Sequence, residues 1–417
     1  MSITNLTDAD YDPLFKIQYL KLADNLYNSF DNYYSQIKKT FGTLGGKQSE
    51  HPVETTFGGG VGSSTDGTLP EPEHTSFLRP IYNAKRCYAR IKIDGLTVDS
   101  SSSSKFAFVK AIDQEVTSKL KSFNRKSAAE FFNDGSGAMG QFSGSAGGTA
   151  AAPTMTILTT GTYRRRHAYF EKNDTVNINQ LGSRFKITAY NRSSGLLTLS
   201  RLSGADDLTA IGAGTHTIYW QNSRNADPYG LLGVTVANTT HYGVAEEFRW
   251  EPFTLDTDPA GAPLNTGMLT EVIQKIGTEM DEEPTDILMS PKQYARYIML
   301  LEDQKRFPVP VKMSPRKNKM TSSRLTATVS YSGIQYAGEQ HTIRVMKNKF
   351  IRDDMVLFTN SNHIEAKHVK KPGWRAKDNM IFLRMEDKDW FEARYVCYKE
   401  NCFNIGHVGY IENLDVS

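Results

Sequence analysis

Apolar residues recur along this chain with two periods, and the changes between them sketch its elements. Leu22, Leu26, Phe30, Tyr33 and Ile37 repeat every three or four residues, which places them on one stripe of a helix. Asp12 is a fitting N-cap, Pro13 a fitting first residue, and Gly42 sits just past the end. The spacing predicts an amphipathic helix over 12–41 that needs something to lie on. A longer pattern follows the serines Ser100 to Ser104: Phe106, Val109, Ile112, Val116, Leu120 and Phe123, then Ala128, Phe131 and Phe132. It is the strongest helical signal in the chain, with Lys110, Asp113, Gln114, Lys119 and Lys121 on the other face. The turn cluster Asn133-Asp134-Gly135-Ser136-Gly137 ends it. Met268, Leu269, Val272, Ile273, Ile276 and Met280 predict a third helix. Ser290-Pro291-Lys292-Gln293 has the form of a capping box opening a fourth, which carries Tyr294, Tyr297, Ile298 and Leu301.

Elsewhere the period drops to two. Residues 43–76 are rich in Gly and Pro, and 77–93 turn strand-like through Phe77, Ile81, Tyr82, Cys87, Tyr88, Ile91 and Ile93. Residues 52–93 therefore read as one long hairpin with a mobile tip near 63–74, the glycines at 58–62 supplying backbone flexibility. A lone hairpin of that length is marginal in water. Residues 138–153 have the Gly/Ala/Ser composition of a linker. After them, 155–222 read as all-β, with strands at Thr175–Ile178, Phe185–Tyr190, Leu196–Ser200 and His216–Trp220 and a turn at Asn191-Arg192-Ser193-Ser194-Gly195. This block reads as an insertion, a small barrel or sandwich that folds by itself. Asp286–Met289 predicts a short buried strand. Later strands are expected at Thr342–Met346, Met355–Thr359, Met380–Met385 and Phe391–Tyr398.

At 417 residues the chain has length for two or three domains at roughly 150 residues each. Hydrophobic residues at 39% and aromatics at 11% exclude a mostly disordered chain. Lys+Arg 49 against Asp+Glu 46 leaves a net charge of +3, far from the basic excess of a dedicated nucleic-acid binder. Three cysteines, Cys87, Cys397 and Cys402, cannot build a disulfide framework; they are expected to be reduced, isolated thiols in a reducing compartment. No signal peptide or membrane-length apolar run is evident, so the expectation is a soluble, cytoplasmically made protein.

Candidate chemistry is sparse. Asp8-Ala-Asp10-Tyr-Asp12 begins like a calcium loop, but Pro13 stands where a glycine is needed and Tyr19 where a glutamate is. Gly45-Gly46-Lys47-Gln48 misses the first glycine and the magnesium-binding hydroxyl of a phosphate loop. His363, Glu365 and His368 offer metal-type ligands on a strand-like stretch where their side chains do not converge. Cys397 and Cys402 have no second pair to complete a zinc site. Arg164-Arg165-Arg166 is a short basic run. No catalytic, cofactor-binding or metal residue is nominated, and the expectation is a protein without enzymatic activity.

The order of segments carries more information. An amphipathic arm, a Gly/Pro-rich hairpin, and one long helix ending in Phe131-Phe132-Asn133-Asp134-Gly135-Ser136-Gly137 come first. Leu264–Met280, Asp286-Ile-Leu-Met289-Ser290-Pro291, Tyr294 to Leu301 and Arg306-Phe307 follow. This order resembles the tailed-bacteriophage major capsid proteins of the HK97-like fold over nearly the whole chain except 155–222. The resemblance implies an α+β fold with an N-terminal arm (1–46), an extended loop (47–93), a peripheral domain with a spine helix (94–153), an inserted β domain (154–226), an axial domain (227–375) and a return to the peripheral domain (376–417). It implies self-assembly into hexamers and pentamers of an icosahedral head shell around double-stranded DNA, held non-specifically. It also implies a separate scaffolding protein, a portal, an optional decoration or cement protein, no membrane, no cofactor, and a virion location after assembly in the bacterial cytoplasm. An encapsulin-like compartment shares the fold and stays open, as does a binding protein or enzyme built around the β block.

Charge along the hairpin is segregated. Glu50, Glu54, Asp66, Glu71 and Glu73 on the outgoing side are all acidic, while Arg79, Lys85, Arg86, Arg90 and Lys92 on the return side are all basic. The two sets either pair across the hairpin or, if the hairpin lies on a neighbouring subunit, form inter-subunit contacts there.

Overall fold

The computed structural model describes residues 32–45, 48–95, 105–159, 163, 167–179, 181–212, 214–235, 240–247, 249–257, 261–303, 334–338, 340–376, 381–384 and 389–416. Most of the predicted arm helix, the acidic stretch Asp8–Asp12, Gly46 and Lys47, the serines Ser100–Ser104, Arg164–Arg166 and Arg306-Phe307 lie outside them. The chain forms two units. Met1–Arg165, Tyr169–Ala245 and Ile364–Phe403 make the first; Glu246–His363 and Asn404–Ser417 make most of the second.

The first unit is organised by the strand Trp390–Phe403. One edge pairs along its length with Lys85–Asp94, in a register that sets Cys397 opposite Cys87 and Arg394 opposite Arg90. The other edge is shared by Leu383–Arg384, Gly373–Trp374 and Ile364–His368 in succession. Lys38–Phe41 adds in parallel to Ile364–His368. Strand alternation then sorts side chains to two faces. Cys87, Ile91, Tyr395, Cys397, Lys399 and Phe403 face the helix Lys105–Phe131, whose Phe123 and Phe131 meet Tyr395 and Phe403 at ring distances of 5.1 and 5.5 Å.

Within that interface lies a chain of buried polar groups. Lys399 is fully buried; its Nζ is 3.3 Å from Glu130 Oε2 and donates to the Tyr34 hydroxyl at 3.2 Å. Glu130 also meets Lys126 Nζ at 3.0 Å, and Lys126 donates to Ser223 Oγ at 2.8 Å and lies 3.3 Å from Asp227 Oδ1. Burial opposes the charge on Lys399, but Tyr34 and Glu130 outweigh it and hold the ammonium protonated. Burial, reinforced by Glu130, pushes Asp227 up to about 6. The network ties the arm, the sheet, the long helix and the loop after the β domain to one another.

The β domain is a seven-stranded sheet in the order Ala138–Ser143, Thr215–Trp220, Thr175–Ile178, Arg184–Tyr190, Leu196–Ser203, Pro153–Thr156, Gly147–Gly148. Phe142, Val176, Phe185, Ile187, Leu197, Leu199 and Ile218 are buried in it. The turn predicted at 191–195 is built by Asn191 Oδ1, which accepts from the amides of Ser193 and Ser194 at 3.0 and 3.2 Å. Residues 138–153 are not a linker but supply two of the seven strands and the first residue of a third, so the sheet begins well before residue 154. The Gly137 turn explains the abrupt start: its φ is +78°, and a Cβ there would come within 2.3 Å of Ser223 O. Arg125 reaches Glu171 at 2.8 Å and also pairs with Asp174, and Tyr169 donates to Ala129 O at 3.2 Å, so the domain is anchored to the long helix.

The second unit is a six-stranded mixed sheet in the order Phe253–Asp256, Val408–Glu412, Val356–Thr359, Asp286–Met289, Thr342–Lys347, Ile334–Ala337. Helices Thr266–Met280 and Pro291–Asp303 cover it, burying Leu269, Val272, Ile276, Tyr294 and Tyr297 against Ile287, Val345, Phe358 and Ile411. Asn265 caps the first through Met268 N at 2.9 Å, and Ser290 Oγ caps the second through Gln293 N at 3.2 Å. The Gln293 side chain does not complete the predicted box; it donates instead to Asp353 O and Asp415 O at 2.8 and 2.9 Å.

Three further expectations change. The arm helix ends at Gln36, and Lys38–Phe41 is a strand because its amides find the edge of Ile364–His368. The last stretch, 376–417, divides: residues 390–403 belong to the first unit, and 404–416 return to the second through Val408–Glu412. Residues 227–245 and 364–375 likewise sit in the first unit rather than with the bulk of 227–375.

Two outcomes follow from the buried groups. Lys399→Met should destabilise the chain by about 3–5 kcal/mol in chemical denaturation, because Glu130 and Tyr34 lose a buried partner. Adding Glu130→Gln should cost much less than the two single effects summed. Glu400 is buried, its Oε1 accepting from Tyr229 N at 2.7 Å and Asn401 N at 3.2 Å, and burial pushes its pKa up to about 8. A carboxyl raised in the folded state stabilises below its unfolded pKa of 4.5, and that contribution is lost as pH rises through about 8. Thermal stability should fall by roughly a few kcal/mol across that window, and Glu400→Gln should flatten the dependence.

Candidate inter-subunit surface

The hairpin is shorter in pairing than expected. Ser49–Glu50 pairs with Ile81–Tyr82, and Val53–Thr56 with Ser76–Leu78. The remainder, residues 57–75, runs out and back without strand pairing. Close approach requires glycine at 58, where a Cβ would come within 2.7 Å of Glu73 O, and Gly60 takes φ +89°; at Gly62 a Cβ would meet Pro70 only at an ordinary 3.5 Å. The tip is a built turn. Asp66 Oδ1 accepts from Thr68 N at 3.1 Å and from Ser64 Oγ, Gly67 takes φ +84°, and the Ser64 hydrogen bond leads in pulling the Asp66 carboxyl down to about 2.

Along this narrow loop, apolar side chains face solvent. Phe57 is 72% exposed, Val61 95%, Leu69 86% and Phe77 60%. Glu50, Glu54, Asp66, Glu71 and Glu73 are all exposed beside them.

The basic set is split. Arg79 stays on the hairpin, whereas Lys85, Arg86, Arg90 and Lys92 lie in Lys85–Asp94 of the first unit's sheet. Among the described residues no ion pair joins the acidic set to the basic set. Arg86, Tyr88, Arg90 and Lys92 alternate outward with Arg394 and Tyr398 on the sheet face away from the long helix. Arg90 and Arg394 pair with Glu392, Tyr88 meets Tyr398 edge-on at 6.2 Å, and Lys92 Nζ lies 5.8 Å over the Trp390 ring. Burial would raise the Glu392 carboxyl, but hydrogen bonds from Arg90 and Arg394 hold it below the ordinary range.

The other candidate chemistry disperses. Glu365 pairs with Lys38 at 3.1 Å, and the His368 ring is buried against Ala366 O and pushed down to about 4, chiefly by burial. His363 lies in the other unit, where it meets Glu282 and His407. Cys87 and Cys397 are not isolated; they are register partners, and burial pushes both thiols up, Cys397 to about 12. Both thiols are held far from the thiolate form a nucleophile or metal ligand needs. A concavity of about 500 Å³ is lined by Leu255, Asp256, Thr257, Met268 and Glu271. No helix among the described residues is long and apolar enough to cross a membrane.

A scan against protein-family models finds no match to the chain, and a search of curated proteins finds none. Solved structures do match. A chain of the cyanophage A-1(L) capsid asymmetric unit superposes with a TM-score of 0.53 at 9% identity, covering 91% of this chain and 90% of that one. A chain of the satellite phage P4 procapsid that includes the size determination protein gives 0.43 at 9% identity, with 95% and 91% covered. The holo-SrpI encapsulin complex from Synechococcus elongatus PCC 7942 gives 0.44 at 7% identity, with 93% and 90% covered. The last two likenesses are too loose to carry weight. The first, at 9% identity, speaks for the course of the backbone: this chain has the HK97-like capsid fold.

Proposed function

We propose that the protein is a shell-building subunit, the major capsid protein of a tailed phage, assembling into hexamers and pentamers around double-stranded DNA. The observation that carries the reading is the backbone likeness to a cyanophage capsid chain over nine-tenths of both chains. In this reading the first unit is the peripheral domain and Lys105–Phe131 its spine helix. The second unit is the axial domain, and the hairpin is the extended loop. A scaffolding protein, a portal and, in some particles, a decoration protein are its partners, the finished shell is its location, and it performs no catalytic turnover.

The hairpin supports this physically. Four large apolar side chains and five carboxylates stand on a loop that buries no core of its own, and such a surface needs a partner. The outward face of the sheet, bearing Arg86, Arg90, Lys92 and Arg394, has the complementary charge. We place the acidic hairpin of one copy on the basic face of the next. Each exposed pair is worth only about 0–1 kcal/mol, so the apolar tip supplies adhesion and the charges supply register.

Electron microscopy of the chain expressed with and without a co-expressed scaffolding protein tests the function: closed particles are expected, and a chain that stays monomeric under every condition contradicts it. Charge exchange tests the contact. Arg86→Glu and the pair Glu54→Lys/Glu71→Lys should each lower particle yield without changing monomer stability, and their combination should recover part of it. High salt should shrink all three differences. Arg90 is a poor probe, because reversing it also sets a like charge on buried Glu392. Wild-type yields from both single sets at low salt would remove the charges from the contact.

A further inference from the structure

Three side chains with no part in the shell-building account meet inside the second unit. Glu282 follows the helix Thr266–Met280, His363 ends the turn Ser361–His363, and His407 ends the turn Ile405–His407. Their nitrogen and oxygen ligand atoms all lie within 4.8 Å of one another. His363 Nε2 is 2.8 Å from Glu282 Oε2, and the two imidazole rings stack at 3.8 Å with 4° between their planes.

His407 is the unusual member. It is 8% exposed, and its Nδ1 has neither solvent nor a hydrogen-bond partner among the described residues. Leaving a buried polar atom unmatched is costly, and nothing in the packing around it explains the cost. Glu282 and His363 close the cluster on its outer side, with side chains 37% and 33% exposed. Next to it in the chain, Glu283 O accepts from Asn360 Nδ2 at 3.4 Å, which ties the backbone beside Glu282 to the segment that leads into His363.

We propose that Glu282, His363 and His407 form a binding site for a divalent transition-metal ion of the zinc class, with water completing the coordination. Two imidazoles and one carboxylate suit zinc, nickel or copper; calcium and magnesium call for all-oxygen sets. Donor atoms about 2.0–2.1 Å from a tetrahedral ion sit roughly 3.4 Å apart, so the His363–Glu282 pair, now at 2.8 Å, must open slightly while the wider separations, within 4.8 Å, close. Nitrogen lone pairs of parallel rings do not converge, so the His363 ring must also tilt out of the stack. His363 and Glu282 stand on the exposed side and have room to turn, while buried His407 is the fixed post. An ion there would join the loop before Asp286–Met289 to the segments where the chain leaves this unit at His363 and re-enters it at Asn404.

The test uses the untagged full-length chain, stripped with chelator and titrated with Zn²⁺ by calorimetry and with Co²⁺ by visible absorption. One ion per chain is expected, with intense tetrahedral Co²⁺ bands and a thermal midpoint raised by Zn²⁺. Each of Glu282→Gln and His363→Ala, both at partly exposed positions, is read against its own metal-free midpoint, so that lost contacts and lost metal are kept apart. Both variants should weaken Zn²⁺ binding more than about tenfold and abolish the thermal shift, while His51→Ala on the hairpin should change neither. Absence of stoichiometric binding, or wild-type affinity in both Glu282→Gln and His363→Ala, overturns the site. None of these readouts depends on particle assembly.

Discussion

A lysine ammonium with no access to water governs how the first unit is put together. Lys399 is tolerable where it lies only because Glu130 and Tyr34 converge on it, and Glu130 in turn is neutralised by Lys126. Three segments meet here: the strand Trp390–Phe403 with Lys399, the arm with Tyr34, and the long helix with Glu130 and Lys126. Lys126 extends the chain of contacts to Ser223 and Asp227 beyond the β domain. Displacing the helix or the strand would strand a charge in a medium that cannot solvate it, and displacing the arm would cost Lys399 a buried hydrogen bond, so the segments stay in one arrangement. Hydrophobic packing along Phe123, Phe131, Tyr395 and Phe403 supplies the bulk of the adhesion, but apolar contacts alone would tolerate sliding.

With the interior fixed in this way, what remains unsatisfied lies outside it. The hairpin carries Val61 and Leu69 almost wholly in solvent, and a glycine at position 58 holds its two halves too close to bury them between. On the sheet face carrying Arg86 and Arg394 the two arginines stand exposed, while Glu392 between them is buried. A molecule built with a locked interior and open complementary surfaces is suited to repeating itself.

The sequence made some of this legible and hid the rest for definite reasons. Val116, Leu120, Phe123, Phe131 and Phe132 announced the long helix because a buried stripe must recur every three or four residues, and Asp286–Met289 announced a strand buried on both faces. Lys38–Phe41 was hidden because the arm's helical stripe runs unbroken up to Ile37 and the partner strand lies more than 300 residues on. Residues 138–153 were hidden because Gly, Ala and Ser are poor strand formers by composition; there, neighbouring strands and the Gly137 turn decide the outcome. The charge segregation was real, but it misled about pairing, since Lys85–Asp94 finds Trp390–Phe403 rather than the outgoing arm of the hairpin. His363 was visible as a ligand type, yet Glu282 and His407 approach it only through the fold of the second unit.

The most direct test of a locked interior with open, neighbour-seeking surfaces is amide hydrogen exchange on unassembled chain and on assembled particles, read separately for the hairpin and for the strand Trp390–Phe403. The account predicts slow exchange in the strand in both states. In the hairpin, over residues 53–78, it predicts fast exchange before assembly and strong protection after. A hairpin that exchanges equally fast inside particles, or a strand that becomes protected only on assembly, would contradict it.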